Sequence, residues 1–300
     1  MTHASSLVSG VRSVALNVPD LVQAESFFTG TWHLSVAART DNALYLRGTG
    51  ADHHLLALHQ AEGAAQIRCV TLRARSRAAL DQVADRAQQH GGHVVQAVAP
   101  VTEPGGGTAV SIGDADGRVF QLVWGDEQHT DACEVPDRPV RLAHAVLNSH
   151  DVETTRRFLE QVLDFSLADR TRIMAFMRCN DDHHSLALGD TDNDALNHIA
   201  FLMPDLESVM RGGGRMKDAG YSIEWGPGRH GPGNNAFNYF IGPFEVVIEY
   251  TAEVEQVDDS YQAGQPSDWT WPPGRVDQWG ISAPPSDRLK AAQRAVRFVA

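Results

Sequence analysis

Leu44-Tyr-Leu-Arg-Gly-Thr-Gly-Ala-Asp-His-His-Leu-Leu-Ala-Leu58 and Ala175-Phe-Met-Arg-Cys-Asn-Asp-Asp-His-His-Ser-Leu-Ala-Leu188 are two versions of one block. The arginine, the Asp-His-His step and the Leu-Ala-Leu run recur at offsets of 131 and 130 residues (Arg47 to Arg178; His53 to His183). Two unrelated loops would rarely keep a cation, paired imidazoles and apolar spacing together. The chain therefore reads as a tandem duplication.

Outward from the block the repeat persists. Val11 to Leu21 parallels Val140 to Val152, each an alternating strand-like run that ends in a turn. Helices are predicted over 23–28 and 153–162, with Asp20 and Asp151 as N-caps for the first free amides. Arg68-Cys-Val-Thr-Leu-Arg-Ala74 parallels Asn197-His-Ile-Ala-Phe-Leu-Met203 as a further strand. Second helices over 77–90 and 206–219 are closed by Gly91 and Gly220. The last strand pairs are 108–112 with 119–124, and 236–241 with 245–251. This is an α+β pattern in which each half holds two β-α-β-β-β units. The expected division is an N-terminal domain over 1–130, a linker over 131–139, a C-terminal domain over 140–255 and a tail over 256–300. The tail is rich in Trp, Pro and Gly, with a helix predicted over 286–299.

The 300 residues suit two domains of ordinary size. With 25 Lys and Arg against 38 Asp and Glu, the net charge of −13 disfavours nucleic acid, whose affinity comes from phosphate neutralisation. No apolar run approaches the roughly 18 residues of a membrane span. The start lacks a basic and apolar secretory signal, and Cys69, Cys133 and Cys179 show no metal or disulfide spacing. A cytoplasmic location is expected. Fourteen histidines, several in apolar strands, place a metal among the expectations.

The informative residues are those the copies do not share. His144 stands where the first copy has Ser13, His198 where it has Arg68 or Cys69, and Glu249 where it has Gln121. A lone histidine in a strand is more often a hydrogen-bonded core residue, but an unpaired buried carboxylate is costly. Side chains alternate along strands, so three adjacent strands can aim these groups at one point. Two imidazoles and a carboxylate form the facial triad of non-haem Fe(II), and the same donors accept Mn(II) or Zn(II).

The run Gly226-Pro-Gly-Arg-His-Gly-Pro-Gly-Asn-Asn-Ala-Phe-Asn-Tyr-Phe-Ile-Gly-Pro-Phe-Glu-Val-Val-Ile-Glu-Tyr-Thr251 resembles the signature of the two-domain type I extradiol ring-cleaving dioxygenases, within the vicinal oxygen chelate superfamily. That signature is a His, a Tyr about nine residues on, a Pro-containing turn and a terminal Glu. His230, Tyr239, Pro243 and Glu249 match it, whereas Gly242-Pro243-Phe244-Glu245 and Asn238 depart from the usual turn residues. The resemblance implies two tandem domains, each with a curved mixed sheet around a cup, and a metal site in the second only. It implies His144, His198 and Glu249 as ligands of Fe(II), with Mn(II) as the substitute. His184 becomes the acid and base, and His230 and Tyr239 its catalytic partners beside the substrate. Arg229 and Asn148 are added as substrate contacts, while Trp225, Trp269, Trp271 and Trp279 are expected to pack.

The expected activity is extradiol cleavage of a catechol with both atoms of O2, in aromatic catabolism, by a homo-oligomer. Two alternatives stay open: a glyoxalase-like metal-dependent isomerase or transferase, and a protein that binds a small antibiotic-type molecule.

Overall fold

Alternating apolar and polar residues make the strands, and side-chain caps start the helices. The computed structural model describes residues 6–299. The N-terminal half comprises β1 (Val8–Val18), α1 (Leu21–Gly30), β2 (Ser35–Arg39), β3 (Ala43–Arg47), β4 (Leu56–Gln60), β5 (Gln66–Ala74), α2 (Arg77–Gln89), β6 (His93–Pro100), β7 (Thr108–Gly113) and β8 (Val119–Trp124). The C-terminal half repeats it: β9 (Arg141–Ser149), α3 (Val152–Leu163), β10 (Ser166–Arg170), β11 (Met174–Arg178), β12 (Leu186–Asp190), β13 (Ala195–Leu202), α4 (Leu206–Asp218), β14 (Trp225–Arg229), β15 (Ala236–Ile241) and β16 (Val247–Ala252).

Each half is a mixed sheet of two β-α-β-β-β units. In the first, the pairings give the order β2-β3-β4-β1-β5-β8-β7-β6, with β1 and β4 parallel and β5 and β8 parallel. In the second they give β10-β11-β12-β9-β13-β16-β15-β14. Asp20, Ser76, Asp151 and Asp205 each accept a first-turn amide of their helix. On α3, Val152, Thr155, Phe158, Leu159, Val162 and Leu163 form the buried face at helical spacing. Full burial of Leu159, Val162 and Leu163 contributes about 1.5–3 kcal/mol each.

The halves are packed against each other. Trp32, fully buried, stacks on Tyr250 at 3.6 Å between ring centroids, and the Tyr250 hydroxyl donates to Trp32 O at 2.8 Å. Arg118, also fully buried, holds Asp114 and Asp116 of its own half together with Asp194 and the Asn148 carbonyl of the other. The stretch before β9 lies along the first copy of the repeated block, where Gly50 N donates to Val140 O at 2.9 Å. A Cβ on Gly48 would lie 2.5 Å from that same oxygen, which explains the glycine.

The end of the chain departs from the sequence expectation. Only α5 (Asp287–Ala292) is helical, capped by Ser286, and it is followed by the short strand β17 (Val296–Phe298). Here β17 pairs with β13 at Ala195 and Leu196 and with β5 at Gln66 and Ile67, so the β-branched Val296 serves a strand that bridges both halves. Strands β2, β6, β10 and β14 complete the two β-α-β-β-β units of each half, at positions that the sequence pattern does not delimit. β6 is an outer strand with few buried side chains, and β14 reads Trp-Gly-Pro-Gly-Arg, which carries turn residues rather than alternation. Among the described residues, no helix is long and apolar enough to cross a membrane.

Candidate metal centre and its surroundings

Strand register brings the three residues together. Ala200 of β13 is the partner of both His144 on β9 and Glu249 on β16, so those two side chains flank one position of the central strand. His198 stands two residues away on the same face of β13. The result is a cluster whose ligand atoms lie within 4.8 Å of one another. Glu249 Oε2 is 3.3 Å from His144 Nε2 and 3.2 Å from His198 Nε2. Glu249 is completely buried, with His144 and His198 2% and 5% exposed.

The same register resolves the alignment of the copies. In the first half Thr71 partners both Ser13 and Gln121, just as Ala200 partners His144 and Glu249. Cys69 is therefore the counterpart of His198, two residues before the shared position. Ser13, Cys69 and Gln121 leave the first cup without the two imidazoles and the carboxylate of the second.

The donor set of the second cup fits a cation. Glu249 Oε1 and His144 Nδ1 are buried without hydrogen-bond partners, and an unsatisfied carboxylate oxygen at this depth is expensive unless a positive charge meets it. Burial pushes the Glu249 carboxyl up, but the imidazoles of His144, His198 and His230 outweigh burial and hold it well below the usual carboxylate range. Burial lowers the pKa of His198, against the pull of Glu249, so its imidazole is kept in the neutral form a metal requires. Its Nδ1 lies 2.8 Å from Asn197 Oδ1, which leaves Nε2 for the cluster.

His230 and Tyr239 join the cluster from β15 and the loop after β14. Tyr239 is the direct register partner of Glu249, and its hydroxyl lies 3.1 Å from His230 Nε2 and 3.4 Å from His198 Nε2. Burial, then the adjacent Glu249 carboxylate, push the Tyr239 pKa well above its ordinary value, so it remains an O–H donor at neutral pH. His183 and His184 are both buried rather than exposed turn residues. His184 packs on His144 at 4.2 Å between ring centroids, and burial, then His144, lower its pKa well below that of a free imidazole.

Two substrate contacts expected from sequence lie elsewhere. Arg229 is held by Glu253 and the Asn234 carbonyl and sits over Trp279, 5.2 Å from its ring centroid, so its charge is spent outside the cup. Asn148 is completely buried and donates to Gln293 O at 2.9 Å while accepting from Asn197 at 2.8 Å. It supports the Asn197–His198 contact from behind. Asn238, at the signature's departure, donates to Val209 O at 3.3 Å. Trp225 packs at 4.4 Å from Phe237, and Trp269 and Trp271 close over Gly231. The tail docks on its own C-terminal half, where Gln278 donates to His230 O at 2.6 Å.

A residue the sequence reading missed is Asp169, completely buried, with Oδ2 2.7 Å from His183 Nε2. A second group of possible donors, Asp116, His150 and Asp194, lies around Arg118, which pairs with both acids.

Comparison with known proteins agrees with this geometry. Residues 141–250, which carry all three cluster residues, match the family model of the Glyoxalase/Bleomycin resistance protein/Dioxygenase superfamily. The Mn(II)-bound glyoxalase from Novosphingobium aromaticivorans is 32% identical and superposes with a TM-score of 0.88 over 94% of both chains. The chain belongs to this superfamily. Another structure with the same fold, an extradiol ring-cleaving dioxygenase from B. fuscum, has a TM-score of 0.81 at 22% identity, over 92% of this chain and 80% of that one. Metapyrocatechase 2 of Cupriavidus necator is 33% identical over 155 residues, 49% of this chain and 46% of its own. The chain thus spans less than half the length of the curated relatives it matches.

Proposed function

We propose that this superfamily member is an Fe(II)-dependent extradiol dioxygenase that opens the ring of a catechol with both atoms of O2. The observation that carries the reading is the buried His144–His198–Glu249 cluster surrounded by His184, His230 and Tyr239, in a cup whose sister has lost all three cluster residues. The relatives named metapyrocatechase support it.

His144, His198 and Glu249 would hold the iron on one face, and the iron would supply coordination for the two adjacent substrate oxygens and for O2. The protein's own part is proton handling and orientation. Tyr239, kept protonated, donates to negative charge developing on a substrate oxygen, and His230 steadies its hydroxyl. His184, kept neutral by burial, accepts a proton from the substrate and returns it during ring opening. Phe176, whose ring packs 5.1 Å from His184, with Trp225 and Phe237 beside Tyr239, excludes water. Assembly into a homo-oligomer and residence in a reducing cytoplasm, consistent with three free cysteines, belong to the same reading.

The test is anaerobic loading with Fe(II), followed by oxygen uptake with a panel of substituted catechols. The expected result is stoichiometric iron, oxygen consumption and a yellow ring-fission product. Protein that holds iron yet consumes no oxygen with any catechol would overturn the reading. A second reading, a Mn(II) glyoxalase, is favoured by the Novosphingobium match. It requires turnover of a hemithioacetal of glutathione without oxygen, which the dioxygenase reading does not.

A further inference from the structure

Both halves keep the His-His step and the same close contact inside it. His53 Nδ1 lies 3.0 Å from His54 Nδ1, and His183 Nδ1 lies 3.1 Å from His184 Nδ1. What differs is the group at each end of the pair.

In the first half Arg12 Nη1 lies 2.6 Å from His54 Nε2. A guanidinium only donates, and burial, then Arg12, hold the His54 pKa well below that of a free imidazole. Its Nε2 therefore accepts, its proton is on Nδ1, and the lone pair that would face the cup is capped. At the offset that relates Ser13 to His144, Arg12 corresponds to Ala143. In the second half that cap is gone.

The other end differs in the opposite sense. Asp169 follows a bulge in β10 and pairs with Phe176, as Ala38 follows a bulge in β2 and pairs with Tyr45. The carboxylate thus exists only in the half with the metal cluster. Three donors converge on it: His183 Nε2 at 2.7 Å and the Tyr261 hydroxyl at 3.1 Å on Oδ2, and Gly264 N at 2.6 Å on Oδ1. Such an acceptor-only group requires the proton of His183 on Nε2. His183 Nδ1 then carries a lone pair, so the His184 proton lies on Nδ1 and its Nε2 is bare.

We propose that Asp169, acting through His183, is a positioning residue that fixes His184 as the Nδ1–H tautomer with an unprotonated Nε2 offered to the substrate. Tyr261 and Gly264 of the tail hold Asp169 in place, which makes the tail part of the site. The inference rests on the reading of His184 as the proton acceptor, and gives that reading a definite starting state. The carboxamide of Asp169→Asn can donate to His183 Nε2, which would reverse both imidazoles and put a proton on His184 Nε2.

The test is a proton–nitrogen multiple-bond NMR spectrum of the metal-free full chain with nitrogen-labelled histidine, recorded beside steady-state kinetics. The wild-type spectrum should show His184 protonated on Nδ1, and Asp169→Asn should move that proton to Nε2. The variant should lose roughly 10²- to 10⁴-fold in kcat with KM and iron content unchanged, the range for general acid–base catalysis and for tautomer control in a carboxylate–histidine pair. Tyr261→Phe, which removes one donor, should produce a smaller loss of the same kind. Wild-type His184 protonated on Nε2, or an Asp169→Asn spectrum identical to wild type, overturns the proposal. The spectrum needs neither metal nor substrate, so it fails independently of the catechol assay, and its wild-type half stands even where Asp169→Asn does not fold.

Discussion

Replacing Glu249 with glutamine keeps the shape of the side chain and removes the only negative charge among the three cluster residues. The carboxylate is fully buried, with one oxygen 3.2–3.3 Å from two imidazole nitrogens and the other without a hydrogen bond, 3.6 Å from His230 Nε2. At a metal concentration about 100 times the dissociation constant, binding adds about 2.7 kcal/mol to the stability of the wild-type fold. At about 2–4 °C per kcal/mol for a chain of this size, the melting temperature rises about 5–11 °C. Loss of an outer-shell partner of a metal ligand weakens affinity about 10–100-fold, and loss of a charged ligand costs at least the upper figure. Under the same conditions Glu249→Gln then gains no more than about 0.4 kcal/mol, a shift below about 2 °C. Anaerobic thermal melts with and without Fe(II) or Mn(II) read this directly. A variant that gains as much as the wild type would refute the assignment of Glu249 as a ligand.

Acid should weaken the metal-free protein early. Burial holds His54, His184 and His198 below the ordinary imidazole value of 6.5, so below that pH the unfolded chain binds protons that the folded chain refuses. Stability should fall as pH drops from about 6.5, and melting temperatures that stay flat from pH 7 to about 5 would contradict it. Tyr239→Phe should retain metal and lose about 10²-fold in kcat, since it deletes one donor beside the cluster; unchanged kcat would remove Tyr239 from the chemistry. Trp32→Ala should cost about 3–5 kcal/mol in a single urea transition, because Trp32 of one half is seated on Tyr250 of the other; two separate transitions would show that the halves melt independently.

The cluster was legible because duplication supplied its own control: His144, His198 and Glu249 stand where the other copy has Ser13, Cys69 and Gln121. The one-residue ambiguity at His198 needed strand register, which the bulges of β5 and β13 against their partners obscure in a linear comparison. Asp169 was within reach of the same logic, since Ala38 occupies its place, but no motif marks either residue and the short strands β2 and β10 lack strong alternation. Arg229 was misplaced because it adjoins His230 in sequence. Glu253 and Trp279, distant along the chain, draw its guanidinium out of the cup. The tail was illegible for a related reason: its Trp, Gly and Pro residues pack against a surface that exists only after both sheets have formed.

The most direct test of the central claim is mass analysis of the product formed from a catechol and heavy-oxygen-labelled dioxygen by the Fe(II)-loaded protein. The account predicts a ring-opened product that carries both labelled atoms before exchange with water, formed by wild type and abolished together with iron retention in His198→Ala. A product with one labelled atom or none, or equal turnover by His198→Ala, would contradict it.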